Sequence, residues 1–422
     1  MTRLREMSIS IAVVAVLLTH AGSFSAIAQE TRVAEDWRAT RAETVGVMLD
    51  LDPADNVLTV GETIDSVVTR KHSPNGILRW ERVIPPPPDR ARASWISADP
   101  AGNAIVTAYH VTGENFSPAG WLVVKYGPLG NVIWRDDIPV AHGRTVRVET
   151  DDAGNAYVTG TMFLGTTTDA VTIKYAPNGA KRWTRSFNGG AAAADVPSSV
   201  AVTPDGSRIA TVGRSGPAFF TVIYDAQGDV IRRNVRTDLG TAHDAAFGPK
   251  KELYVGTSRY TQATSDQMTI VKFGASGATL WTRSYAAGDF IHRIAVDHAG
   301  NVISVGVVDT YFDWVTLKVA PNGDRLWARR YSATEGDDEV PAFLAIDAAN
   351  AIYVTGRAGP IPPGPGVSLL MMTTIKYAPA GSLVWRVNRD INRGVGVRVG
   401  TDQAAYVLGE GLMLTVRYTQ SP

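Results

Sequence analysis

The sequence predicts an all-β protein, an eight-bladed β-propeller with four antiparallel strands per blade, on three observations. A four-part pattern recurs about every 49 residues along the 422-residue chain. Each copy holds four short runs with strand-like rather than helical periodicity. The last copy lacks its fourth run, and a matching run stands near the N-terminus. Repeats of this size cannot bury their faces alone and must stack into one body. The 40 glycines and 23 prolines suit many short strands joined by turns, and no period of three accompanies them, which excludes collagen.

Within a repeat the runs are named a to d. Run a alternates apolar and small residues, as in Ile294, Ala295, Val296 and Asp297. A tight Asp-x-x-Gly-Asn turn leads to run b, as at Asp151 to Asn155, where glycine supplies positive φ and the aspartate can bond the backbone ahead of it. Run b is typified by Ala351, Ile352, Tyr353, Val354, Thr355 and Gly356. Run c is rich in β-branched residues, as in Thr172, Ile173, Lys174 and Tyr175.

Runs c and d are joined by the most regular element. Pro74-Asn75-Gly76, Pro177-Asn178-Gly179 and Pro321-Asn322-Gly323 are its full copies, with variants ending at Gly130, Gly228, Gly277 and Gly381. Proline presets the first central turn position and glycine takes the left-handed one, so a hairpin of defined shape is expected. Four residues after the glycine stands a tryptophan, at Trp80, Trp134, Trp183, Trp281, Trp327 and Trp385, with Arg232 in the fourth repeat. One large ring per unit is expected to fill the gap between neighbouring sheets. Lys125, Lys174, Lys318 and Lys376 near the ends of run c read as a solvated or locally paired row rather than a binding stripe.

The termini complete the count. Runs a, b and c of the last unit lie at 395–399, 405–409 and 414–418, and the chain stops where its c–d hairpin would begin. Trp37 to Arg41 reads like Trp183 to Phe187 and supplies the missing d strand. The predicted blades span approximately 45–84, 94–139, 145–188, 199–237, 242–285, 291–331, 342–389, and 395–418 plus 33–41. Pairing the two ends in one sheet removes exposed edges. Seven blades is the alternative if 33–41 stays outside the ring.

Residues 1–28 read as an export signal. Arg3 and Arg5 precede an apolar run from Ile9 to Leu18, and Ala26, Ile27 and Ala28 fit the small-residue cleavage rule. That run is shorter than the about 20 residues a membrane span needs. A single domain over 29–422, exported to a bacterial periplasm or beyond, is the expectation. With no cysteine, neither disulfides nor thiolate metal sites can form. The 41 basic and 41 acidic residues balance, so nothing favours nucleic acid or an anionic membrane.

The Asp-x-x-Gly-Asn-x-Tyr-Val-Thr-Gly, Asp-Ala-x-x-x-Lys-Tyr and Gly-x-x-x-Trp blocks resemble those of the bacterial beta-propeller repeat (SBBP) family, over roughly residues 33 to 418. The resemblance implies an exported propeller and no shared activity, since its motif residues serve turns and packing. Quinone-dependent dehydrogenases resemble such a fold, but often use adjacent cysteines. Sialidase-like repeats place tryptophan three residues after the hairpin glycine, not four. No nucleophile elbow, phosphate loop or dinucleotide fingerprint occurs in a fitting setting.

The a–b and c–d turns should share one face of the ring, and the d–a and b–c links the other. The second face carries the variety, including the proline runs at 85–88 and 360–365. There the candidate ligand-binding residues are His243 and His292, at one repeat position, with Asp289, Asp195, Asp338 and Glu339 near them in their own units, and His142 further upstream. Convergent histidines and carboxylates serve metal binding or acid–base catalysis. No His-x-Glu or His-x-x-x-His spacing accompanies them, so no metal is assigned and no cofactor is required. Tyr311, Phe312, Trp314, Tyr109, Phe116 and Trp121 are candidates for a sugar platform, though at least half read as packing residues. The expected function is binding of a protein, glycan or small ligand through this face. A hydrolase or lyase acting on an extracellular polymer through the same groups is the alternative.

Overall fold

The computed structural model describes residues 33–84, 90–113, 117–140, 142–190, 193–258, 267–308, 313–333, 339–358, 371–389 and 393–420. Eight four-stranded antiparallel sheets form a closed ring. Strands a of successive blades lie side by side at the centre, and the first, Val45–Leu51, neighbours both Arg90–Ala98 and Gly394–Val399. Strands b and c are almost wholly buried between blades, whereas strands d, such as Lys181–Phe187, alternate buried and exposed residues at the rim. The composition of each run follows this position: apolar throughout where both faces are covered, alternating where one meets water.

Blade eight is closed as expected. Val33–Ala39 pairs antiparallel with Thr415–Gln420, Trp37 lying opposite Arg417. Arg417 pairs with Asp36 across this seam, and Arg389 of blade seven pairs with Glu35 of the closing strand. Arg398 reaches Asp50 at 2.8 Å and joins blade eight to blade one.

The hairpin tryptophans are latches between blades. Trp134 donates its indole N–H to the Pro177 carbonyl of the next blade's c–d turn at 3.1 Å, and Lys125 donates to the same oxygen at 3.2 Å. Ala226, Pro321 and Pro379 accept from Trp183 and Lys174, Trp281 and Lys272, and Trp327 and Lys318 in the same way. Gly179 shows why the turn ends in glycine. Its φ is +88°, and a Cβ there would lie 2.6 Å from the Trp134 ring. Arginines two positions beyond three of the tryptophans, Arg82, Arg185 and Arg329, donate at 2.6 Å to the carbonyls of the glycines that these rings cover.

The lysines are buried and paired, not solvated. Lys71, Lys125 and Lys318 meet Asp52, Asp99 and Asp297 of their own a–b turns at 2.6, 2.7 and 2.9 Å. These aspartates also cap their turns: Asp52 Oδ1 accepts from the Ala54 and Asn56 amides, and Asp151 caps its turn in the same way. A buried cation needs such compensation, because desolvation otherwise outweighs what its hydrogen bond returns.

Truncation at one latch should separate its parts. Trp327→Ala is expected to cost about 3–5 kcal/mol as a deleted buried aromatic. Trp327→Phe keeps a smaller aromatic ring, loses the indole N–H and should cost about 1–2 kcal/mol. Lys318→Met, which strands buried Asp297, should cost about 3–5 kcal/mol. Urea unfolding measures all three; a Phe variant as stable as the wild type contradicts the latch.

Candidate functional site

Every strand a carries a one-residue register shift against strand b, a β-bulge that turns the residue after it toward the ring axis. The bulge also explains the glycine that ends the Tyr-Val-Thr-Gly block. A Cβ on Gly160 would lie 2.3 Å from the Arg144 carbonyl oxygen. His243 and His292 are the bulge residues of blades five and six, so the structure brings these two candidates into neighbouring blades.

Both histidines are half-buried, and desolvation lowers each pKa from 6.5 to about 4. His243 Nε2 contacts the Ser258 hydroxyl at 2.5 Å. The acidic candidates sit at the starts of their own inner strands. Asp195 is buried and accepts the Gly189 amide at 2.9 Å. Glu339 likewise accepts the Ala333 amide at 2.5 Å. Each carboxylate therefore clasps the d–a link of its own blade. The Asp289 amide donates to the Val307 carbonyl at 2.7 Å. Asp338 lies outside the described residues. His142 is exposed with φ of +56°, its ring edge-on to Phe163.

Of the aromatic candidates, Trp121 and Trp314 are fully buried and donate to the Thr161 and Arg357 carbonyls of the next blade, as packing residues do. Tyr109 is part-buried, while Phe116, Tyr311, Phe312 and both proline runs lie outside the described residues. Among the described residues no three His, Cys, Asp or Glu side chains form a group suited to a metal ion.

The channel holds residues that sequence reasoning did not select. The first position after each bulge is, from blade one to eight, Met48, Trp95, Arg147, Ser199, Asp244, Arg293, Phe343 and Gly396. Trp95 and Phe343 meet near the axis, ring centroids 5.9 Å apart. Arg147 lies over Trp95 at 4.7 Å, Arg398 over Phe343 at 4.7 Å, and Arg293 over both at 5.7 and 5.4 Å. Blades two, six and seven thus touch across the channel.

Carboxylates answer two of the three arginines. Arg147 pairs with Glu149 and Asp244, each at 2.7 Å. Burial disfavours the Arg147 charge, but these two carboxylates outweigh it and hold its pKa above the usual value. Arg398 pairs with Asp50. Asp50 and Asp244 also accept the Ala98 and Ile294 amides, inner-edge N–H groups left over by the sheet. Among the described residues Arg293 makes one hydrogen bond, from Nη1 to the His292 carbonyl at 3.0 Å, and its buried Nε has no acceptor there. Burial lowers its pKa, with Arg147 and Arg398 adding repulsion that Asp244 only partly offsets.

Two residues beyond the first channel position the blades divide. Blades eight, one, two and three carry Arg398, Asp50, Ser97 and Glu149, and blades four to seven carry Ala201, Ala246, Ala295 and Ala345. The alanines hollow the channel on one side. A cavity of about 420 Å³ results, lined by the later halves of strands a and so lying toward the a–b turns.

No protein-family model matches the chain, and none of the curated proteins does. Solved structures do. The Dos1 propeller superposes with a TM-score of 0.61 at 8% identity, over 92% of this chain and 95% of that one. Chaetomium thermophilum Sqt1, solved bound to the N-terminus of the ribosomal protein L10, gives 0.60 at 13% identity, over 92% and 100%. Virginiamycin B lyase from Staphylococcus aureus gives 0.50 at 10% identity, over 93% and 100%. At such identities the likeness is one of fold: the chain is an eight-bladed propeller, similar in architecture to proteins with unrelated tasks.

The desolvated histidines give stability a defined pH dependence. His72, in strand c of blade one, is held at about 4 by burial like His243 and His292, with neither ring nitrogen hydrogen-bonded. The unfolded chain takes up these protons near pH 6.5 and the folded one only near 4. Their contribution is therefore complete above pH 6.5 and lost as pH falls toward 4, up to about 3 kcal/mol each. Melting temperature should drop across that window. His72→Tyr, carrying the residue found at this position in Tyr126 and Tyr175, should flatten the slope. A flat wild-type profile contradicts the desolvation of all three.

Proposed function

We propose that the chain is an exported binding propeller of the bacterial beta-propeller repeat kind, freed of residues 1–28. It holds a protein, envelope polymer or small ligand on the face bearing the d–a and b–c links. The observation that carries this reading is what the opposite face does. Its turn aspartates, lysines, indoles and turn carbonyls bond to one another within and between blades. Polar groups so engaged, in near-identical turns, offer little from which to encode one partner, whereas the links differ in every blade.

The alternative, a hydrolase or lyase, is kept open by the pairing of His243 and His292 in adjacent blades. Against it, a general base works best with a pKa near the working pH, and both are pushed well below that. Asp195 and Glu339 are moreover engaged by backbone amides of their own loops.

Glycan, envelope-polymer and metabolite arrays probed with the mature chain, with and without divalent metal, test the proposal. Alanine at His142 and Asp289 should weaken capture while leaving the melting temperature within a degree or two. Alanine at Asn178 and Asn322 should leave capture intact. The opposite pattern places binding on the turn face. Polymer turnover abolished by His243→Ala or His292→Ala in a folded protein establishes the enzyme instead.

A further inference from the structure

We propose that the hollowed half of the central channel binds a small monocarboxylate with a short apolar body, its carboxylate seated against the Arg293 guanidinium. This goes beyond the loop-face reading and does not depend on it, since the cavity lies in the half of the channel toward the a–b turns.

The guanidinium is the first ground. Contact with Trp95 and Phe343 occupies the faces of Arg293 but leaves its in-plane N–H groups without acceptors among the described residues, save the one that reaches the His292 carbonyl. The nearest acid, Asp244, has Oδ1 occupied by Arg147 and Ser199 and Oδ2 by the Ile294 amide. A half-buried cation whose Nε is shut off from water without a partner is stabilised by an oxyanion brought from outside, and the planar fork of arginine matches a carboxylate.

Charge selects the class of anion. The channel cluster holds three arginines, Arg147, Arg293 and Arg398, and three acids, Asp50, Glu149 and Asp244, so its formal sum is 3 − 3 = 0. A single added negative charge meets Arg293, and a second has no free cation to meet. A monocarboxylate therefore suits the site better than a phosphate dianion. The space selects the rest of the ligand. Ala246, Ala295 and Ala345 make the room, Phe247, Val296 and Ile346 give it apolar walls, and about 420 Å³ is the scale of a small-molecule site.

Calorimetric titration of the mature chain with butyrate, benzoate, benzyl alcohol and inorganic phosphate tests the assignment. Butyrate or benzoate should bind saturably at one per chain, with benzyl alcohol and phosphate at least about tenfold weaker. Arg293→Met keeps the bulk, removes the charge and should weaken carboxylate binding by a similar factor. Ala295→Leu fills the cavity without touching Arg293 and should do the same. Should Arg293→Met fail to fold, unchanged affinity in Ala295→Leu by itself overturns the proposal. Absence of saturable carboxylate binding by the wild type, preference for phosphate, or binding only of an acidic peptide also overturns it. None of these outcomes bears on loop-face capture, which the arrays read separately.

Discussion

A carbonyl oxygen shared by a lysine and a tryptophan of the preceding blade, found at four of the c–d turns, is the contact on which the cohesion of the ring depends. Pro177, Ala226, Pro321 and Pro379 all accept in this double fashion. The lysine is buried, so it requires the aspartate of its own a–b turn, and that aspartate in turn caps the turn. Indole, ammonium, carboxylate and turn therefore form one unit, and the repeat motif is the sequence trace of that unit. Coupled parts of this kind are retained or lost together.

The departures from the motif bear this out. In blade four the aspartate, lysine and tryptophan positions hold Thr203, Ile223 and Arg232, so all three parts change together. There the next turn's Gly277 packs against Arg232 and Ile223 instead. In blade five the carboxylate moves to the last turn position, where Glu252 lies 3.8 Å from Lys272 and caps the Lys250 amide. In blade eight Arg417 replaces lysine and pairs with Asp402 and Asp36. At the junction of blades seven and eight the Trp385 indole finds no acceptor among the described residues.

The blades, their turns and the closing role of Trp37 were legible in the sequence because the interactions behind them recur at fixed spacing. The channel was not. Its contacts join residues as far apart as Arg147 and Asp244, or Arg398 and Asp50, which share no local pattern. A signal was present nonetheless: aligned on the repeat, the channel positions break the regularity of their strands, from Gly396 and Ser199 to Trp95 and Arg293. His243 and His292 were singled out as histidines sharing one repeat position, which lies one residue short of the position that faces the axis. Asp195 and Glu339 were picked for their charge, but the structure engages them in closing their own links. Charge in a loop does not reveal whether a backbone amide already waits for it.

If the shared-carbonyl latch holds the ring together, the ring should open first where the latch is missing. Native-state hydrogen exchange resolved to individual strands measures this directly. Amides of Val230–Arg236 and of the turn at 274–277, at the junction of blades four and five, should exchange through openings of lower free energy than those of Lys181–Phe187 and the turn at 225–228 one junction earlier. Equal or greater protection at the junction that lacks lysine and tryptophan would show that apolar packing alone sets the cohesion of the blades, and would contradict the account.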